Sequence, residues 1–462
     1  MLNRVAVALL SATNALGEHA AGYPGNKASR LALKPGEAMS EEENKDELEE
    51  MIQRMLSSGQ IDPEAMSKLA GLGQNPQLMA QLFSQVRNLM GDGSGSIDWK
   101  MAQKQAMEIA GKEQTIPAES LNQEIANAFD MARLWLSEAT IFEPVMETKQ
   151  LSRTLWVQDA MPLFAELSEP VANSMAKALS ENLAQAMPEE FSQILGPATK
   201  FIGNAGAAIF AMQLGQAIGK LSTQTISATE IGIPISSKPG LIAQNVSEFL
   251  KDLETPKSEV LIYLAVRELA IGSLYAANRW LRDHITTQVR EFAAGLKVDI
   301  SGVQEMVEQV DPSDPESMNR VMEATAMMSS RTEEQETALV RIEAMLALID
   351  GWADHVSQEA AKRLPNIGSV IELVSRKRAA KGAAEKTFEI LLGLELQPKL
   401  RREAKAMWEK AGELGLDKRD MLWRHPDQLP SVEEIADPSL LLARLGSEPD
   451  DFDGELRKLL DG

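Results

Sequence analysis

The sequence predicts a mainly α fold, a multi-helix body with little β structure. Three observations predict it. Apolar residues recur at helical spacing through most of the 462-residue chain, Gly/Pro/Asn/Asp clusters break that pattern at intervals suited to helix connections, and one short stretch alone alternates like a strand. A hydrophobic content of 44% on this length supplies ample core.

Residues 1–45 combine Gly, Pro and Ser with the acidic run that begins at Glu41, a composition that solvates rather than packs, and are expected to form a disordered leader. Arg4 followed by Val5 to Leu10 faintly resembles a secretory signal, but that apolar run sits at or below the lower limit of the usual length of about 7–15 residues. Residues 46–95 are expected to be a small helical subdomain, with Leu, Met and Phe at helical spacing and the loop Gly91 to Ser96 at its end. The main helical domain is predicted over 96–445 and an acidic tail over 446–462.

Within the main domain, helices are predicted over Ile97 to Ala110 and Ala118 to Phe142, the second with Pro117 suited to its first turn. Val145 to Leu195 reads as further helix, with Trp135 and Trp156 as core mass. Gly203, Ala207, Ala211, Gly215 and Gly219 place small side chains on one helical face every four residues, which suits the close approach of another backbone. Thr229 to Ile235 alternates like a strand, and Pro234 fits an edge better than a sheet centre. One or two long helices follow over Glu259 to Leu296, then a turn at Asp311 to Pro315, a helix over Glu316 to Met328 and another over Glu333 to Arg363. The last third carries the basic runs Arg376-Lys377-Arg378 and Lys399 to Lys405, expected to lie on solvated helix faces.

The formal charge of -22 argues against nucleic-acid or anionic-membrane partners, which it would repel at long range. No stretch has the roughly 18 consecutive apolar residues of a membrane span; the nearest, Phe201 to Leu221, is interrupted by Asn204, Gln213, Gln216 and Lys220. The absence of Cys excludes disulfides, thiolate metal sites and Cys nucleophiles, and fits a cytoplasmic location. The oligomeric state is left open.

The chemistry-bearing stretch is Val266-Arg267-Glu268-Leu269-Ala270-Ile271. A zinc-protease helix places two His four residues apart on one face, with a Glu beside the first to activate the metal-bound water. Glu268 is the Glu of such a motif, but Arg267 and Ile271 stand at the two ligand positions. Glu268 remains a candidate general base, with an ion pair to Arg267 or Arg279 as the structural alternative. Asp350 and Asp354 share a helix face and lie beside His355, a set that would suit a hard divalent ion, or else pairing with Arg or Lys. His19, His284 and His425 do not restore the motif by spacing. Gly-x-Ser-x-Gly, phosphate-loop and dinucleotide-binding patterns are missing from the sequence.

Several segments together resemble the actinobacterial family assigned as zinc-dependent metalloproteases or hydrolases, relatives by name of deazaflavin-coenzyme biosynthesis proteins. They are Tyr263 to Ala270, Ile349-Asp350-Gly351-Trp352-Ala353-Asp354, Arg376 to Phe388, Leu392 to Pro398 and Met421 to Asp427, within a resemblance that covers about residues 50 to 445. The resemblance implies a zincin-like, helix-rich fold in which the Arg-Glu helix meets the Asp-Gly-Trp helix across a cleft, and zinc as the cofactor. The family shows Arg-Glu-x-x-His and Glu-Gly-Trp at these places, whereas this chain has Ile271 for the His and Asp350 for the Glu. The expectation is therefore a peptide- or protein-binding module without a standard zinc site, its cleft lined by Glu268, Asp350 and Asp354. The alternative is an active metal-dependent hydrolase with those three residues as an atypical catalytic set; no residue is assigned as a metal ligand.

Overall fold

A computed structural model describes residues 97–112, 115–186, 192–294, 332–379, 386–389 and 398–446. The expected leader, the 46–95 subdomain, the 316–328 helix and the tail beyond Gly446 lie outside the described residues.

Helix α1 (Trp99–Gly111) starts at Asp98, whose carboxylate accepts from the backbone N–H groups of Lys100 (3.0 Å) and Met101 (3.1 Å). Its Ala102, Ala106 and Ala110 are fully buried. They meet helix α4 (Ser192–Gln224), where a Cβ built on Gly215 would lie 2.5 Å from the carbonyl oxygen of Ala102, and one on Gly219 would lie 2.8 Å from Cβ of Ile109. The small-residue stripe is thus a helix–helix contact inside the fold. Helix α3 (Arg153–Ala186), with Pro162 and Pro170 in its length, packs beside both.

Helix α2 (Glu119–Leu136) ends earlier than its pattern suggests, and residues 137–148 return as turn and extended chain. Strand β1 (Lys149–Leu151) then pairs in parallel with β2 (Gly240–Ile242), Lys149 opposite Gly240. The region 145–195, expected to be all helix, therefore begins with a strand. Gly240 is required at its place because a Cβ there would lie 2.2 Å from the Lys149 carbonyl oxygen.

The stretch Thr229 to Ile235 is not a strand but a folded loop. Ile231, Ile233 and Ile235 are all buried, Gly232 takes a φ of 88°, and the Ile235 N–H closes back on the Ala228 carbonyl at 3.1 Å. Its apolar alternation reports burial on several sides rather than a pleat.

Helix α5 (Ala243–Phe249) leads to the central helix α6 (Lys257–Ala277), which α2, helix α8 (Glu333–Ala361), helix α9 (Ile367–Ala379) and β2 surround. By length and composition α6 passes for a membrane span, and most of it is buried inside the fold. Asn278 breaks the long helical pattern, and helix α7 (Trp280–Ala294) turns to bridge α3 and α8. A capping box between Thr332 and Gln335 starts α8. Helix α10 (Pro398–Gly412) packs along α8, followed by α11 (Leu416–Met421), α12 (Val432–Ala436) and α13 (Pro438–Gly446).

Trp408 stacks on Trp423 at 5.3 Å between ring centroids, and Trp352 meets Trp423 edge-on at 6.3 Å. Beside them Asp420, fully buried, accepts from Trp352 Nε1 (2.9 Å), Thr140 Oγ1 (2.6 Å), the Ile141 N–H (3.0 Å) and the equally buried Arg419 (Nε, 2.7 Å). That node fixes α8 and the end of α2 relative to α11, and so sets the register of the site.

Candidate functional site

Successive helix residues point about 100° apart, so Arg267 and Glu268 on α6 face different neighbours. Glu268 is 1% exposed. Its Oε2 accepts from Thr229 Oγ1 (2.6 Å) and the Thr229 N–H (3.2 Å), and its Oε1 from the Gly240 N–H (2.9 Å). Burial raises its pKa; hydrogen bonds from Ser227, Thr229 and Gly240 oppose that rise. The partners of Glu268 are thus the 225–239 loop and the start of β2, not Arg267 or Arg279.

Arg267 turns to α8. Its Nε donates to Asp354 Oδ1 (3.0 Å) and its Nη2 to Asp350 Oδ1. Arg378, near the end of α9, reaches the same two oxygens: Nη1 to Asp354 Oδ1 (2.7 Å) and Nη2 to Asp350 Oδ1. Arg401 of α10 stands 3.4 Å from Asp350 Oδ2. These five side chains lie mostly buried, Arg267 at 8% exposure. Burial opposes ionisation of Asp350, yet Arg378, Arg267 and Arg401 outweigh it and hold its carboxyl well below the usual range. Burial also opposes the charge on Arg378, and Asp350 and Asp354 overcome it, so Arg378 stays protonated.

One turn earlier on α6, the buried hydroxyl of Tyr263 is pushed up first by desolvation and then by Asp354. One turn later, Ile271 is 2% exposed within the apolar core. The structure therefore brings Asp350 and Asp354 together with Arg267, and gives Glu268 a separate set of partners.

The sequence reading missed Arg378 and Arg401. It placed Arg376-Lys377-Arg378 on a solvated face, which holds for Arg376, exposed and paired with Glu372 at 2.5 Å. Lys377 instead donates to the Gln224 carbonyl at 3.1 Å, and Arg378 enters the carboxylate pair. The usable signal was the i,i+4 pair of Asp on a buried helix, which needs cations from elsewhere in the chain. His355 is buried next to Gly412 and Arg419, His284 meets Trp280 edge-on at 5.7 Å, and His425 accepts from the Asp427 N–H at 3.2 Å. His19 lies outside the described residues.

The sequence profile of the family described as Zincin-like metallopeptidase matches residues 97–442. The chain belongs to that family. Among solved structures, this zincin-like chain is similar to one described as a "putative hydrolase with a novel fold" from Chloroflexus aurantiacus. The TM-score is 0.54 at 15% identity, covering 76% of this chain and 100% of that one, a likeness of fold. Comparison with curated proteins finds no match.

A metallopeptidase family implies zinc, and the residues present do not fit it. A tetrahedral zinc site draws on imidazole, thiolate and carboxylate donors with free lone pairs. Here Arg267 offers only N–H donors, Ile271 offers no heteroatom, and Glu268 is turned to Thr229 and Gly240. Both Oδ1 atoms of the Asp pair already accept from two guanidinium groups. Among the described residues, no group of three or more His, Asp or Glu is placed to hold a metal ion.

Proposed function

We propose that this zincin-like chain keeps the fold of a metallopeptidase as a peptide- or protein-binding module without a standard zinc site. The observation that carries the reading is the engagement of Asp350 Oδ1 and Asp354 Oδ1 by Arg267 and Arg378, which sets two fixed cations against the oxygens a metal would draw on. Peptide is the ligand class because the family is described by peptide chemistry. A cytoplasmic location and the exclusion of nucleic acid belong to the same reading, supported by the lack of Cys and the charge of -22.

Asp350, Asp354 and Glu268 then serve the module by fixing the walls around α6 rather than by touching a scissile bond. The competing reading, a metal-dependent hydrolase with an atypical site, is separated from it by one experiment. Immobilised peptide libraries are probed with the full chain with zinc and with EDTA, and the bound peptides are analysed by mass spectrometry. Binding of intact peptides, the same in both conditions, is the expected result. Peptide cleavage that EDTA abolishes and zinc restores would overturn it.

A further inference from the structure

What fills the place of the metal in this fold can be inferred if, as read above, no standard zinc site is present. Two guanidinium groups converge on two carboxylate oxygens. Asp350 Oδ1 accepts from Nη2 of both Arg267 and Arg378, while Asp354 Oδ1 accepts from Arg267 Nε at 3.0 Å and Arg378 Nη1 at 2.7 Å. Each arginine therefore spans both aspartates, as a bridging cation would. Arg401 stands beside this quartet, 3.4 Å from Asp350 Oδ2, but of the three arginines it is Arg267 and Arg378 that each span both carboxylates.

The location adds to the argument. Arg267 is the α6 residue at the first ligand position of the zinc-protease pattern, Asp350 and Asp354 are its partners on α8, and Arg378 comes from the last turn of α9. Three helices meet at these four side chains with little solvent access, Arg378 at 14% exposure and the two aspartates at 20% and 17%. A planar guanidinium can donate to two acceptors at once in a fixed fork, whereas a Lys ammonium acts as a point charge.

We propose that Arg267 and Arg378 together take the structural place of a divalent metal ion, so that fixed organic cations clamp α6, α8 and α9 at the site. A clamp of this kind differs from a metal in two measurable ways. Chelators cannot remove it, and its strength depends on the two-acceptor shape of the guanidinium rather than on charge alone.

The test is thermal unfolding of the full chain, purified without chelators, with and without EDTA and with added zinc, beside elemental analysis of bound metal. The expected result is substoichiometric metal and the same Tm in all three conditions. Arg267→Lys is expected to shift Tm downward although charge is kept, and Arg267→Met further. Should the single variants fail to fold, the quadruple Arg267→Met/Arg378→Met/Asp350→Asn/Asp354→Asn is the second measurement, expected to recover much of the loss because both partners of each pair lose their charge together, leaving only the more exposed Arg401 to be hydrated in place of its contact with Asp350. Stoichiometric zinc whose removal lowers Tm would overturn the clamp. So would an Arg267→Met variant with wild-type Tm, which would leave the binding-module reading standing. Metal-independent peptide turnover would do the reverse, ending that reading while the clamp remained.

Discussion

Glu268 is where a catalytic and a structural account diverge most sharply. Truncation to Ala strands the backbone N–H groups of Thr229 and Gly240, both now satisfied by a side chain 1% exposed. A stranded buried donor costs about 1–3 kcal/mol, so two cost about 2–6 kcal/mol before any cavity is counted. Against a total stability of about 5–15 kcal/mol, Glu268→Ala is expected to be severely destabilised. Glu268→Gln keeps one acceptor for Thr229 but turns an amide N–H₂ toward the Gly240 N–H, for a loss of about 1–3 kcal/mol. The pH dependence has a definite sign. Burial raises the folded-state pKa of Glu268 above its ordinary 4.5, so its contribution to stability is greatest below that ordinary value and declines as pH rises through the folded value. Gln does not titrate, and the deficit of Glu268→Gln should therefore narrow between pH 4 and pH 7. Urea unfolding followed by circular dichroism at the two pH values measures this directly. A Glu268→Ala protein with wild-type urea midpoint would refute the reasoning and return Glu268 to the catalytic account.

Three further outcomes are expected. Gly215→Ala places a methyl 2.5 Å from the Ala102 carbonyl and should cost about 1–3 kcal/mol through overpacking; Gly368→Ala, which meets open space, should leave the urea midpoint unchanged or raise it. His355 is held down to about 4 by burial first and then by Arg419, against the pull of Glu359, Glu409 and Asp420. A depressed His contributes stability above its ordinary value of 6.5 that is lost as pH falls through the folded value, so the Tm of His355→Gln should fall less steeply than wild type between pH 6.5 and 4.

The parts of the fold that follow from local periodicity were legible, and those that depend on distant partners were not. The close approach on α4 could be read from small residues four apart, Gly215 and Gly219 among them, whereas its partner, Ala102 and Ala106 of α1, was a tertiary outcome. The strands were hidden for the opposite reason. Each is three residues long, too short for an alternation signal, and they pair Lys149 with Gly240 across a long stretch of sequence. Ile231, Ile233 and Ile235 supplied alternation where no strand exists, because a loop packed on several sides buries the same residues; Glu230 helps fix that loop by accepting from the Ser227 N–H at 3.3 Å. At the site, the spacing of Asp350 and Asp354 was sufficient to expect a shared face and basic partners. Which basic residues answered was a tertiary outcome, since Arg376, Lys377 and Arg378 are equivalent in composition and only the helix phase of α9 separates them.

The adjacency of Arg267 and Glu268 invited an ion pair between them, and helix geometry separates the two. In so apolar a helix each buried charge must find its own counterpart, and α6 meets that demand with segments on different sides: the 225–239 loop and β2 for Glu268, α8 for Arg267. A motif glutamate aimed at a bound water would have to leave part of its accepting capacity open toward a reacting atom. Both oxygens of Glu268 instead accept from the protein, two of the donors being backbone N–H groups. The same carboxylate that would serve as a base in a zinc peptidase therefore anchors a loop and a strand in this chain. A variant built to bind zinc would have to give Glu268 new freedom as well as supply ligands, so Ile271→His alone should leave the protein without zinc.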